Sequence, residues 1–468
     1  MAARTVDSNP LESHPQLAFV DELREQLGQA LADAPRAGFI SLSLPVRDFP
    51  GSPGMPAGVP AVWWGRPAEQ RYCAGAGIAW ERQATGRQRF TALAEAYRDL
   101  QAQWRGIGLQ GARSMRAAFL GFAFSPDAPG RSLPNALLYV PQAVVDRRGT
   151  TTVMHFNGPA DAGHEELLAG WTEAARQLMA ASWSGTPATN VAPRAADAGD
   201  LQPADPAWAG RVRAALADIA RLPLEKLVLT RRVELPLAAA PELNRVLERL
   251  AARYPEAAVF AVHREGTSLV GASPERLLSL EHGLVVADAL AGSAPRATCD
   301  DADQQLGGRL LCDPKERAEH DVVVREILAA LEPLCTAVMA SHGPEILRLS
   351  NVQHLASHVH GRIRPNVGVF ELVERMHPTP AVGGAPRAAA LEWLEHNGEA
   401  ERAWYTGGVG WLDDAGGDIW VALRCALLAG RTATLYAGAG IVAGSDPGQE
   451  LLETGWKLQP MLEALGVG

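Results

Sequence analysis

The strongest constraint on the fold is a succession of short apolar runs with little helix between them. "TSLVGA" and "RLLSLEHGLVVADAL" stand almost back to back. They follow "KLVLTRRVEL" and "AVFAVHRE" and precede "DIWVALRCALLAG". Runs of this kind, closed by turn residues, read as strands. Strands joined by short turns pair antiparallel, because a parallel neighbour needs a long crossover. "AWAGRVRAALADIARL" and "ELNRVLERLAARY" are apolar at i, i+3, i+4 and i+7 and read as helices lying alongside. The expected class is therefore α+β, with antiparallel sheets covered by helices. Upstream the same mixture recurs, with strand-like "AGFISLSLPV", "AVWWG" and "ARSMRAAFLGFAF" and helical "RFTALAEAYRDLQAQW" and "HEELLAGWTEAARQLMAASW". One stretch, "SGTPATNVAPRAADAGDLQPADPAW" (184–208), has no apolar period and reads as a linker. It separates an N-terminal part, residues 1–204, from a second region, residues 205–468.

Bulk properties exclude several functions. The 468 residues carry a formal net charge of −10 and no lysine- or arginine-rich block, which argues against a nucleic-acid partner. No apolar run approaches the ~18 residues of a membrane-spanning helix. "MAARTVDSNPLESHPQ" has no apolar signal core. The five cysteines are scattered, without CxxC or paired histidines, which suits a reducing compartment and a cytoplasmic address.

Two segments raise a chemical question. "PKERAEHDVV" (314–323) carries Glu316 and Glu319, and "GQELLETGWK" (448–457) carries Glu450 and Glu453. In each, the acids are three positions apart and share a helical face, with a proline (Pro314, Pro447) placed to open the helix. Either these are solvated surfaces, with Lys457 an ordinary i+4 partner of Glu453, or the faces meet around a cation. Mg²⁺ accepts one or two carboxylates, waters and an anionic substrate group. The glycine run "YAGAGIVAG" (436–444) does not match a dinucleotide fingerprint, since Ala443 stands where the third glycine belongs. It reads either as a tight turn or as small residues, Gly438 and Gly440, bringing backbone N–H groups near an anion. "HPTPAVGGAPR" (377–387) reads as a rigid loop. Lys226, opening an apolar strand, and Glu275, after Ser-Pro, have no special meaning when each is taken alone.

Their joint order does. Lys226, Ser-Pro-Glu275, "ALAGSAPR", "KERAEH", "NVQHL", "HPTPAVGG", "WYTGGVGW", "ALRCALL", "YAGAGIVAGSDP" and "ELLETGWK" resemble, in sequence, the chorismate-utilising enzymes over roughly residues 205–465. The resemblance implies a single α+β unit of two large stacked antiparallel sheets with helices around them, to which the variable N-terminal part also contributes strands. It implies Mg²⁺ between the acid helices, with Glu319 and Glu453 as direct ligands and Glu316 and Glu450 acting through water. It places Lys457 beside the ring carboxylate of chorismate, and Gly438 and Gly440 as a backbone cradle. Tyr405 and Arg424 would grip the enolpyruvyl carboxylate, and His354 would lie near the ring.

The resemblance also separates branches of the family. Lys226 stands where the water-using members carry their base, and Glu275 matches the acid that protonates the departing C4 hydroxyl. Ala291, in "ALAGS", occupies the position of the lysine nucleophile of the aminodeoxychorismate branch. Ala381, in "HPTPAVGG", occupies that of a threonine of salicylate synthases. The chain thus looks like an isochorismate synthase that uses water and needs no glutaminase subunit. Salicylate synthase and a catalytically silent binding subunit are the alternatives. Isochorismate so formed would feed menaquinone, siderophore or salicylate biosynthesis.

Overall fold

The computed structural model describes residues 14–32, 34–47, 49–128, 132–183 and 207–467. Almost all of the expected linker, 184–208, lies outside the described residues. The first part runs α1 (His14–Ala32), β1 (Phe39–Val46), β2 (Ala61–Arg66), β3 (Arg71–Ala76), β4 (Trp80–Ala84) and α2 (Arg89–Gln103). It continues with β5 (Trp104–Gly108), β6 (Ala118–Phe122), β7 (Ala136–Val140), β8 (Ala143–Arg148), β9 (Thr151–Pro159) and α3 (His164–Ala180). The second part opens with α4 (Trp208–Arg221), β10 (Lys226–Pro236), α5 (Leu243–Arg253), β11 (Ala258–Arg264), β12 (Thr267–Ser273), β13 (Arg276–Glu281) and β14 (Leu284–Pro295). Next come α6 (Asp300–Cys312), α7 (Pro314–Leu331), β15 (Cys335–Ala340), β16 (Glu345–Arg348), β17 (Val352–Ile363) and α8 (Val369–Met376). The chain ends with β18 (Gly384–Ala385), α9 (Arg387–His396), β19 (Gly408–Asp413), β20 (Gly416–Val421), β21 (Cys425–Ala429), β22 (Thr432–Val442) and α10 (Pro447–Leu465).

Among the described residues these strands form two sheets. The first runs in the order β18-β10-β22-β21-β12-β11-β2-β3-β8-β9-β1-β5. The second runs β15-β17-β14-β13-β20-β19-β6-β7-β4, with β16 also on β17. Pairing is antiparallel except between β1 and β5, which are parallel. In each sheet the strands of the N-terminal part form one block and those of the second region another, joined where β2 pairs with β11 and β6 with β19, so the two lengths of chain share one sandwich.

The apolar runs are long because many strands are buried on both faces. In β11, Ala258, Phe260 and Val262 enter the core shared by the two sheets, while Val259 and Ala261 face a second core. β2 does the same with Val62 and Trp64 on one side and Ala61 and Trp63 on the other. Helices α2, α7 and α8 pack into the first core, and α1, α3, α5 and α10 into the second. A third, smaller core joins α4 and α9 to Leu227 and Leu229 of β10 and Ala439 and Ile441 of β22. No helix among the described residues is long and apolar enough to cross a membrane.

Three local readings need correction. "DIWVALRCALLAG" is not one strand but two. β20 ends at Val421 in the second sheet, and β21 begins at Cys425 in the first. Arg424 takes a left-handed φ of 48° at the crossing, a conformation no β-run displays in its composition. "RLLSLEHGLVVADAL" is the hairpin β13–β14, turned at His282 and Gly283, both with positive φ. Finally, "YAGAGIV" lies inside β22, paired along its length with β10, so it is not a turn.

Candidate active site

The site lies where the chain passes between the sheets. β12, in the first sheet, ends at Ser273, and β13 starts the second sheet at Arg276, so Glu275 sits on the crossing. Its N–H donates to Ser273 Oγ (3.3 Å), and its carbonyl accepts from Val421 N–H (3.0 Å). Arg424 sits on the return crossing, Ala422–Arg424. These two crossings, β10, β22, α7, α10 and the loop after α8 enclose a cavity of about 70 Å³. Lys226, Glu275, Ala291, Glu319, His354, Ala381, Tyr405, Arg424, Gly438, Gly440, Glu453 and Lys457 all line it, so one small space collects the residues that the sequence singled out, apart from Glu316 and Glu450.

Period-two geometry explains the β10–β22 wall. Leu227 and Leu229 point into the third core, which turns Lys226 and Val228 to the cavity. Across the ladder, Gly440 faces Val228 and Gly438 faces Thr230. A Cβ on Gly440 would lie 2.7 Å from Lys226 Cε and 2.9 Å from Glu319 Oε1. A Cβ on Gly438 would lie 3.0 Å from the Tyr405 hydroxyl. The glycines therefore make room for side chains that reach across the strand. Tyr405 is stacked on Tyr436, with ring centroids 5.2 Å apart.

The helices deliver the acids as their spacing requires. Asp313 caps α7, accepting from the N–H groups of Lys315 and Glu316, and Asp446 caps α10, accepting from Gly448 and Gln449. Lysines then meet all four carboxylates. Lys226 Nζ donates to Glu319 Oε1 at 2.7 Å, and Lys457 Nζ lies 2.5 Å from Glu453 Oε1 while donating to Gly438 O at 3.0 Å. Lys315 Nζ lies 3.5 Å from Glu450 Oε1 and 3.8 Å from Glu316 Oε1. Burial pushes the Glu316 carboxyl up, helped by Glu319, and pushes Glu450 up, helped by Glu453. Burial acts the same way on Glu453, but the Lys457 charge and hydrogen bond outweigh it and hold that acid low. Among the described residues, no three acid, histidine or cysteine side chains converge as they stand on one metal position. The donors nevertheless fit a hard cation: they are all carboxylate oxygens, and they feel one another's charge from two helices.

The crossing side is buried. Glu275 is buried, and burial, with Asp288 next in weight, pushes its carboxyl up to about 8. His354 accepts at Nε2 from Arg424 Nη2 (3.2 Å), which leaves Nδ1–H to donate to Ser293 Oγ (3.0 Å). Burial, with the Arg424 charge behind it, lowers that imidazole to about 3, so it is neutral. Burial also lowers Arg424 and raises Tyr405.

Two residues escaped the sequence reading. Ser293 lies at a bulge in β14, after Gly292 with φ 80°. Its N–H donates to Glu316 Oε2 (3.1 Å) and its side chain hydrogen-bonds Glu453, so it joins both acid helices to His354. The Gly-Ser pair in "ALAGS" was the available signal. Lys315, beside the acids it contacts, is the second. A larger cavity of about 450 Å³ opens near the same loop, between Ile327, Met376, Thr379 and Leu391. It gathers no convergent acids, in contrast to the smaller space.

Residues 53–466 match the model of a family described as "Chorismate binding enzyme". The chain is 34% identical over 412 residues to the salicylate biosynthesis isochorismate synthase of Pseudomonas aeruginosa, covering 87% of this chain and 85% of that protein. It is 38% identical over 260 residues to the isochorismate synthase MenF of Bacillus subtilis. That match spans 55% of each chain, about half the length of this relative. Among solved structures, the menaquinone-specific isochorismate synthase MenF of Escherichia coli superposes with a TM-score of 0.77. It covers 96% of this chain and 100% of that one at 23% identity, a likeness of fold.

Proposed function

The chain belongs to the chorismate-binding enzyme family, and we propose that within it this protein is an isochorismate synthase, converting chorismate to isochorismate with water as nucleophile. The observation that carries the reading is the pairing, in one cavity, of a buried lysine with a buried carboxyl that stays protonated at neutral pH. Water forms the new C–O bond at C2 of the ring, the double bonds shift, and the C4–O bond breaks. Lys226, once deprotonated, takes the proton from the attacking water. Glu275 gives its proton to the departing hydroxyl, which leaves as water, so the net change is an isomerisation. A general acid for a poor leaving group must hold its proton near pH 7, and the buried crossing does that for Glu275.

The remaining side chains bind and orient. Arg424 and Tyr405 suit the enolpyruvyl carboxylate, Lys457 the ring carboxylate, and the neutral His354 a place beside the ring. Gly438 and Gly440 leave the space those groups need. Glu319 and Glu453 would hold Mg²⁺, with Glu316 and Glu450 acting through water, and the ion would supply positive charge at the ring carboxylate. Ala291 and Ala381 present only methyl groups to the cavity. Neither offers a nucleophile or a hydroxyl, which favours release of isochorismate over amination or pyruvate loss. Such an enzyme works in the cytoplasm on a soluble substrate without a glutaminase subunit. Its product serves menaquinone, siderophore or salicylate synthesis, as the names of relatives suggest.

Chromatography of chorismate incubated with the protein and Mg²⁺ tests this reading. Isochorismate without stoichiometric pyruvate is expected, and ammonium should leave the product unchanged. Salicylate with pyruvate would move the protein to salicylate synthase, an aminated product to the ammonia-using branches, and no turnover to a silent subunit.

A further inference from the structure

Three lysines serve four acids in this site, and only two of them have a place in the chemistry. Lys226 and Lys457 line the cavity, but Lys315 does not. It stands on the first turn of α7 with a side chain 39% exposed, and it reaches Glu450 of α10, whose side chain is 4% exposed. Its contacts of 3.5 and 3.8 Å are longer than the 2.5 and 2.7 Å of the two cavity lysines. It is thus the loosest and most solvent-accessible of the three cations, and it bridges the two acids that the proposed site uses through water.

We infer that Lys315 is a displaceable counter-cation. In the metal-free protein it closes the α7–α10 acid cluster by neutralising Glu316 and Glu450, and it competes with the divalent ion for them. Buried acids at this density need positive charge nearby, because a carboxylate without a partner is costly away from water. A lysine supplies that charge reversibly: its ammonium is a compact, well-hydrated point charge on a flexible stem and can swing into solvent. Mg²⁺ affinity is then set by the difference between ion and ammonium at the same oxygens. The inference rests on the Mg²⁺ reading of the site.

The test is calorimetric titration of MgCl₂ into the EDTA-stripped full chain, with melting temperatures measured in EDTA and in Mg²⁺. Lys315→Met should bind Mg²⁺ about tenfold more tightly, a change of only about 1.4 kcal/mol. It should melt lower than the parent in EDTA and regain the difference in Mg²⁺. Lys315→Arg keeps the charge and should bind Mg²⁺ like the parent. If Lys315→Met binds Mg²⁺ no more tightly, or melts lower by the same margin in both buffers, Lys315 is a structural strut and the inference is overturned. Should Lys315→Met fail to fold, charge reduction by Lys315→Gln takes its place, with the same expected direction. A parent protein that binds no Mg²⁺ overturns the site reading itself, an outcome the parent titration shows before any variant is compared.

Discussion

The α7–α10 side of the cavity and its sheet-crossing side handle charge in different ways. On the first, Glu319 and Glu453 are held by lysines at 2.7 and 2.5 Å, and Glu450 by a looser one. On the second, Glu275 has no cation within ion-pair distance among the described residues, and burial alone is the largest influence on it. His354 likewise is neutral chiefly because it is dehydrated. Partner charges make the first side responsive to added cations, whereas dehydration makes the second indifferent to them. A site divided this way can gather an anionic substrate at one side while keeping a proton ready at the other.

The difference is broken most severely by removing the two groups proposed to exchange protons with the substrate. Glu275→Gln keeps the shape of the acid and removes its proton, and Lys226→Met keeps the stem and removes the amine. Each should lose roughly 10²–10⁴-fold in kcat, the usual contribution of a positioned acid or base. Steady-state assays on variants with unchanged circular dichroism check this, and near-parental turnover would remove the residue from its role.

The next largest effects lie on the acid side. Glu319→Gln and Glu453→Gln should stay inactive at any Mg²⁺ concentration, because each removes a proposed direct ligand. Glu316→Gln and Glu450→Gln, at acids proposed to act through water, should need about 10–100-fold more Mg²⁺ and then recover. A Mg²⁺ titration of activity ranks all four. If all four variants keep full activity without added metal, the faces are merely ion-paired surfaces.

The sides should also separate by pH. With Glu275 near 8, kcat/KM of the free enzyme should fall about tenfold per unit above that value, as the carboxylate forms and the leaving group loses its acid. The limb should survive changes of ionic strength, since burial sets it. A limb that moves with salt would instead place Glu275 under the control of its charged neighbours.

Much of this was legible in the sequence, and the parts that were not share a cause. Pro314 and Pro447 after capping aspartates, with acids three apart, fixed both the helices and the faces they present. The apolar run "KLVLTRRVEL" fixed the strand opened by Lys226, although with residues 226–229 all buried its letters did not show that Lys226 and Leu227 face opposite sides. Periodicity is local, however, and does not say which sheet a strand joins. Glu275 and Arg424 owe their positions to sheet crossings, where an apolar run continues while the chain changes partners. The same limit hid the reason for Gly440, whose missing Cβ makes space for a lysine and a glutamate more than a hundred residues away. The pairing of β1 with β5 joins segments whose patterns do not name each other.

The smallest expected signal is thermodynamic, and it isolates the buried crossing side from all metal chemistry. Below about pH 4.3, the usual glutamate value, Glu275 is protonated in both folded and unfolded chains and costs nothing. Between there and about 8 the folded chain keeps a proton that the unfolded chain has lost, so stability falls as pH rises. Above the folded value both states are ionised and the loss is complete. Glu275→Gln removes the titration without changing the shape of the side chain. Its melting temperature relative to the parent should therefore climb from pH 5 to pH 8 and then level off, by a few degrees for a chain of this size. Because Glu275 is not among the proposed ligands, the climb should be the same in EDTA and in Mg²⁺. A flat difference across that range would mean that Glu275 titrates as an ordinary carboxyl. The acid in the proposed mechanism would then have to be another group.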